Sequence, residues 1–187
     1  MNVTDYLSAL KVIYRDHGAE SPHTLRLRRK VGAKAIAKVE KVMGTTLHPQ
    51  LRALWDVANG SDDAPVFHDG KYLCGYALLS VEQALDERDC FKHRAPQYDR
   101  APACTAPRDP RVGVGWFSPG WLPFAAESDH AVLLVDHQPL GSGVPGQIIR
   151  YVHDPDRIEY VADSLAELLP RSLAAIQNDP AEFLCIF

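Results

Sequence analysis

Apolar positions recur three and four residues apart at both ends of the chain, and in runs or alternation through its middle. From Val3 to Arg15, Leu7, Leu10 and Tyr14 fall on one helical stripe, with Thr4 as N-cap and Gly18 as stop. From Arg26 to Met43 a second stripe holds Ile36, Val39 and Met43, ending at Gly44. Gln50 to Val57 predicts a short helix through Leu51, Leu54 and Trp55, closed by Asn59-Gly60.

The middle reads differently. Tyr72 to Leu79 is apolar and β-prone, so a strand is expected there. Ser80 then opens a helix, with Gln83 three residues on as in a capping box. His93 to Arg111 carries Pro96, Pro102, Pro107 and Pro110 and reads as a long loop. Val112 to Phe117 and Leu122 to Phe124 predict short strands around Ser118-Pro-Gly120. Ala131 to Val135 is a buried strand, and Gln147 to Val152 returns after a Pro/Gly-rich turn. Ser164 caps a last helical region that Pro170 interrupts, and Asp179-Pro180 starts a final short helix. Helices, then hairpin-linked strands, then helices argue for an α+β fold with a mostly antiparallel or mixed sheet.

A length of 187 residues suits one domain with a real core. The 46% hydrophobic and 24% charged residues are ordinary for a soluble protein. The net charge of −4 argues against general nucleic-acid binding and leaves room for a local basic patch. Such a patch would be Arg26, Arg28, Arg29, Lys30, Lys34, Lys38 and Lys41. Without interleaved aromatics it reads first as a solvated helix face. No apolar run approaches the length of a membrane span, and the first fifteen residues lack the apolar core of a secretory signal. Cys74, Cys90, Cys104 and Cys185 are scattered, as expected of reduced thiols in a cytoplasm.

Candidate chemistry is sparse. Asp129-His130 and Asp136-His137 look at first like metal ligands or acid–base pairs. In an unbroken strand the two histidines face opposite ways. Asp129 and His137 share a face but lie roughly 26 Å apart. No nucleophile, zinc or phosphate-loop motif is present. A hydrolase therefore rests on those two pairs alone; no catalytic residue, metal ligand or cofactor is assigned. Trp116 and Trp121 are core residues first and partner anchors second. Loop carboxylates gather at Asp62, Asp63 and Asp69, at Glu127 and Asp129, and at Asp154 and Asp156. With Trp116 they form the candidate partner-binding set, an anionic surface suited to a basic partner.

The ordered motifs Gly44, Leu47-His-Pro49, Leu51-Arg-Ala-Leu54-Trp55, Asn59-Gly60, Leu78-Leu79-Ser80, Trp116, Trp121-Leu-Pro-Phe124, Asp136, Gly146-Gln-Ile and Ser164-Leu-Ala-Glu-Leu-Leu169 form a set. It resembles the SUKH superfamily, which includes fungal cell-wall-assembly regulators and many bacterial toxin-immunity proteins. His48 stands where the family usually has Leu directly before Pro. Glu127-Ser-Asp129 stands where it has Gly-Gly-Asp. The resemblance covers about residues 31–169 of a single domain, with the helix at 3–15 and helices within 171–187 as extensions. It implies a twisted, mostly antiparallel sheet with helices on one side and at the ends. It also implies a non-catalytic cytoplasmic protein that binds and blocks a secreted toxin, often a nuclease, delivered by contact-dependent or type VI-like secretion. The expected partner is that toxin, encoded nearby, with no direct nucleic-acid or membrane contact. A scaffold or regulatory module of the same fold is the alternative.

Overall fold

The computed structural model describes residues 1–71, 75–98, 108–128 and 130–185. Its strands β1 (Pro65–Phe67), β2 (Tyr76–Leu78), β3 (Trp121–Glu127), β4 (Ala131–Asp136), β5 (Gln147–Val152) and β6 (Arg157–Ala162) pair in chain order, every pair antiparallel. In β3 and β4 the register runs from Trp121↔Asp136 to Glu127↔Ala131 and slips between Pro123 and Ala125. Pro123 has no N–H to give a ladder, so the irregularity falls beside it. Together with the helices this is the α+β fold that the element order predicts.

The helices are α1 (Val3–His17), α2 (Ala33–Met43), α3 (Pro49–Val57), α4 (Val81–Tyr98), α5 (Leu165–Asn178) and α6 (Pro180–Phe183). Local chemistry sets most of their ends. Gly44 adopts φ +67 and closes α2. Ser80 and Gln83 form the reciprocal box at α4: the Gln83 N–H donates to Ser80 Oγ at 3.2 Å and the Ser80 N–H to Gln83 Oε1 at 2.9 Å. Asn59 adds its Oδ1 to the Val81 N–H at 2.8 Å. Asn2, not Thr4, caps α1, through the Asp5 N–H at 2.9 Å.

Strands β1 and β6 are absent from the sequence expectation, and four further stretches differ from it. Residues 93–98 continue α4 through Pro96. There Phe91 and Ala95 bury against the sheet, and packing outweighs the lost hydrogen bond. The rest of the proline-rich stretch, 99–107, lies outside the described residues. Residues 112–117 are not a strand: Arg108 Nη1 donates to the carbonyls of Gly113 and Gly115, at 2.8 and 2.5 Å, and withdraws them from any ladder. Arg26–Lys30 carries no regular secondary structure and is not helical, with the Arg28 N–H on Gly60 O at 2.9 Å. Finally, α5 runs through Pro170, whose side is exposed.

Strand alternation sends side chains to two cores. Leu122, Phe124, Leu133, Val135 and Ile148 join residues of α1, α3 and α5 such as Leu10, Leu54 and Leu169 in the larger one. Val132, Leu134, Ile149, Tyr151 and Ile158 meet Phe91, Trp116 and Trp121 in a smaller one on the opposite face. Covered on both faces, β4 and β5 are buried at every position. No helix among the described residues is long and apolar enough to cross a membrane.

Candidate partner-binding site

In an antiparallel meander alternate turns fall at the same end. The turns after β1, β3 and β5 therefore share one end of this sheet, and most of the candidate acidic residues sit there. The β3–β4 turn begins with the His130 N–H on Glu127 O at 3.0 Å and Ser128 at φ +43. The His153 N–H reaches across to His130 O at 2.8 Å, which fixes the β5–β6 turn beside it.

A cleft of about 520 Å³ opens along this end. It brings Asp62 and Asp63 from the segment after α3 together with Glu127, 64 positions later, and with His23, Gln83 and His130. Asp62 is exposed, held at φ +53, and accepts from Arg28 Nε at 2.7 Å. Asp63 is exposed beside it. Glu127 Oε2 is out of reach of water and has no hydrogen-bond donor among the described residues. That burial pushes its carboxyl pKa up to about 7. The cleft thus offers the exposed side chain of Asp63, Asp62 paired with Arg28, and a third carboxyl that burial holds protonated until a cation meets it.

Across the β3–β4 turn a second cleft, of about 710 Å³, lies between α4 and the sheet. Ser128 lines both. Its other walls include Glu87, Asp89 and Arg94 of α4 and Tyr151 and His153 of the sheet. Arg94 lies over the rings of Phe91 and Tyr151, at 5.2 and 5.7 Å. Asp154 is exposed at this rim. Asp156 accepts from the Tyr151 hydroxyl, from Tyr98 at 3.4 Å and from His153 Nδ1 at 3.0 Å. Burial works against its charge, but those bonds win and hold its pKa below the ordinary carboxylate value.

The remaining candidates stand apart. Trp116 is 8% exposed and packs behind the second cleft, its ring 4.9 Å from that of Tyr98 and the Arg108 guanidinium 4.6 Å away. The Asp69 side chain is 3% exposed and turned inward, ion-paired to Arg150 and accepting from Tyr76 at 3.1 Å. Asp129 lies outside the described residues, as do Cys74 and Cys104. Among the described residues no three His, Cys, Asp or Glu side chains gather as metal ligands would. Asp136 instead accepts from the Gln138 N–H at 3.0 Å and from Gln147 Nε2 at 3.2 Å.

Sequence reasoning missed two sets of residues. Arg94 was hidden because its helix reads as ending before His93, while Glu87 and Asp89 lie on the expected helix with no local signal of which face meets the sheet. Arg150 left a signal: it is the single charge in Gln147-Ile-Ile-Arg-Tyr-Val152, and an inward cation there needs a buried anion.

No curated protein matches the chain. A family model described as the SMI1 / KNR4 family (SUKH-1) matches residues 30–171, about three quarters of the length. The match spans α2 to α4, the whole sheet and the first half of α5, with the lining of both clefts apart from His23 and Cys185 of the first, and the chain belongs to the SMI1 / KNR4 (SUKH-1) family.

Proposed function

We propose that this chain is a non-catalytic immunity protein that binds a secreted bacterial toxin in the cytoplasm and covers its active site. Family membership supports the role. The convergence of Asp62, Asp63 and Glu127 in one cleft, beside Asp154 and Asp156 on the neighbouring turn, carries the choice of surface. A nuclease is cationic where it holds phosphates, and a concave anionic end both steers such a partner and occludes that ground. Trp116 and Asp69 belong to this surface as supports from behind: one backs the second cleft, and the other is tied into the sheet beneath its hairpin.

The test is coexpression with the toxin-like genes nearest its own, followed by calorimetry of any pair that forms. The expected result is growth rescue and nanomolar-class affinity, with D62N/D63N/E127Q weakening binding by about a hundredfold, chiefly through slower and less salt-sensitive association. Failure of every neighbouring candidate to bind or be neutralised would overturn the role. Full affinity in the triple variant would overturn the surface. A regulatory scaffold of the same fold predicts instead the recovery of housekeeping proteins and no toxin.

A further inference from the structure

The chain's charge is unevenly placed. Between Arg26 and Lys41 seven cations face one acid, Glu40, for a local +6; the other 171 residues therefore carry −10 of the net −4. All seven cations are exposed. Arg28 pairs with Asp62 at 2.7 Å, and Glu40 is occupied by the Leu47 N–H at 3.0 Å. The other six have no ion-pair partner among the described residues. Elsewhere eight Lys and Arg side chains meet a carboxylate, and Arg88 and Arg108 hold backbone carbonyls. Among the described residues, Lys11 and Lys92 are the other two cations without either. Unneutralised positive charge is concentrated on one ridge.

The ridge has a definite shape. Arg26 to Lys30 form an irregular exposed segment, and α2 follows with Lys34, Lys38 and Lys41 on the face opposite Ile36, Val39 and Met43. These three lysines span roughly 10 Å along the helix. Lys34–Lys38 and Lys38–Lys41 are like-charge neighbours at i,i+4 and i,i+3, which weakens a helix. Lys34 also sits in the first turn, against the dipole, where α2 has neither an acid nor a side-chain cap. Among the described residues no carboxylate pairs with these lysines; an external polyanion would supply that charge.

We propose that this ridge binds the phosphodiester backbone of nucleic acid without regard to base sequence, independently of the toxin reading. A membrane surface calls for apolar side chains to insert, and Val42 is the only large exposed one on α2. A protein interface calls for aromatic or apolar anchors, which the ridge lacks. Bare, closely spaced Lys and Arg fit phosphates. The net negative charge does not prevent this, because carboxylates more than about 10 Å away are screened at ~0.1 M salt.

Fluorescence anisotropy with a labelled duplex of about 20 base pairs tests the proposal. Binding is expected in the micromolar range at about 50 mM NaCl, weakening on the order of 10²–10³-fold by about 200 mM, as five or so phosphate contacts require. K34E/K38E/K41E is expected to cost at least about tenfold, and R29Q/K30Q in the segment before α2 a smaller factor. K11E/K92E, which changes net charge off the ridge, stays within about threefold. Matching thermal melts establish that the variants fold. No binding by the wild-type chain at low salt, an equal loss in K11E/K92E, or capture by phosphatidylserine vesicles but not by duplex would each overturn it.

Discussion

Glu127 ends β3 with a carboxyl oxygen that meets neither water nor, among the described residues, a donor, and this residue gives the cleft a pH dependence. The group titrates near 4.5 in the unfolded chain and at about 7 in the fold, the shift coming from burial. Between those values the folded state holds the extra proton. Its contribution to stability is therefore full below pH 4.5 and is lost as pH rises through 7. His48 and His137 act in the opposite sense. Burial lowers both pKa values, so acidification below about 6.5 protonates the unfolded chain first and costs stability. The wild-type profile sums these opposing slopes, so Glu127 has to be isolated by difference. Glu127→Gln is expected to match wild type at pH 5 and to exceed it at pH 8 by roughly 1–2 kcal/mol, a figure already reduced for the partial solvent screening of the site. Urea denaturation of both proteins at the two pH values measures it, and an unchanged difference across pH removes the buried-carboxyl account.

Single charges also decide how elements are joined. Arg150, 1% exposed on β5, meets Asp69 from the β1–β2 hairpin and Glu159 from β6, and Lys71 joins at Glu159 Oε2, 3.2 Å away. The group ties an edge hairpin to the far strands across the helical face. Removing one partner leaves the other charged and buried, whereas removing both with apolar or neutral groups of similar size leaves little penalty. Arg150→Ala is expected to cost about 3–5 kcal/mol, with D69N/R150M recovering most of it; chemical denaturation of the cycle reads the coupling. An additive double variant would make the pair incidental. This joint also marks the limit of what the chain reveals when read alone. Local rules carry far: Gly44, Ser80 with Gln83, Ser164 and Asp179-Pro180 all end or begin helices as their chemistry dictates. Long-range demands stay hidden. Nothing next to Pro96 announces that Phe91 and Ala95 must reach the sheet, and nothing next to Gly113 announces that Arg108 will take its carbonyl. The acidic residues could be named from their loops. Their division into three that share a cleft, two on a neighbouring turn and one turned inward required the topology.

On the scale of the whole molecule the sheet separates two unequal cores, and the consequence is uneven stability. The larger core gathers aliphatic and aromatic side chains from all six helices and from the sheet, including Trp55, Phe67 and Phe124, all fully buried. The smaller relies on Phe91, Trp116, Trp121 and Tyr151, with the Phe91 and Tyr151 rings edge-on at 4.9 Å. Such aromatic contacts add about 0.5–1.5 kcal/mol each beyond burial, and the segment 112–120 that supplies Trp116 has no ladder of its own. The cooperative unit built on the smaller core should open first, at a free energy below global unfolding. Hydrogen exchange is expected to show amides of the second half of α4, around Phe91 to Ala95, exchanging before those of α1 and α5, although all lie in regular helix. The acidic end belongs to both units, because Glu127 lies on the strand they share while Tyr151 and Asp156 face the smaller core. A partner seated on that end clamps the two units together, so its binding should slow exchange in α4 more than in α1. Equal protection of the two helices in the free protein would mean that the cores open as one, and a partner that slowed α1 alone would have docked on a different face.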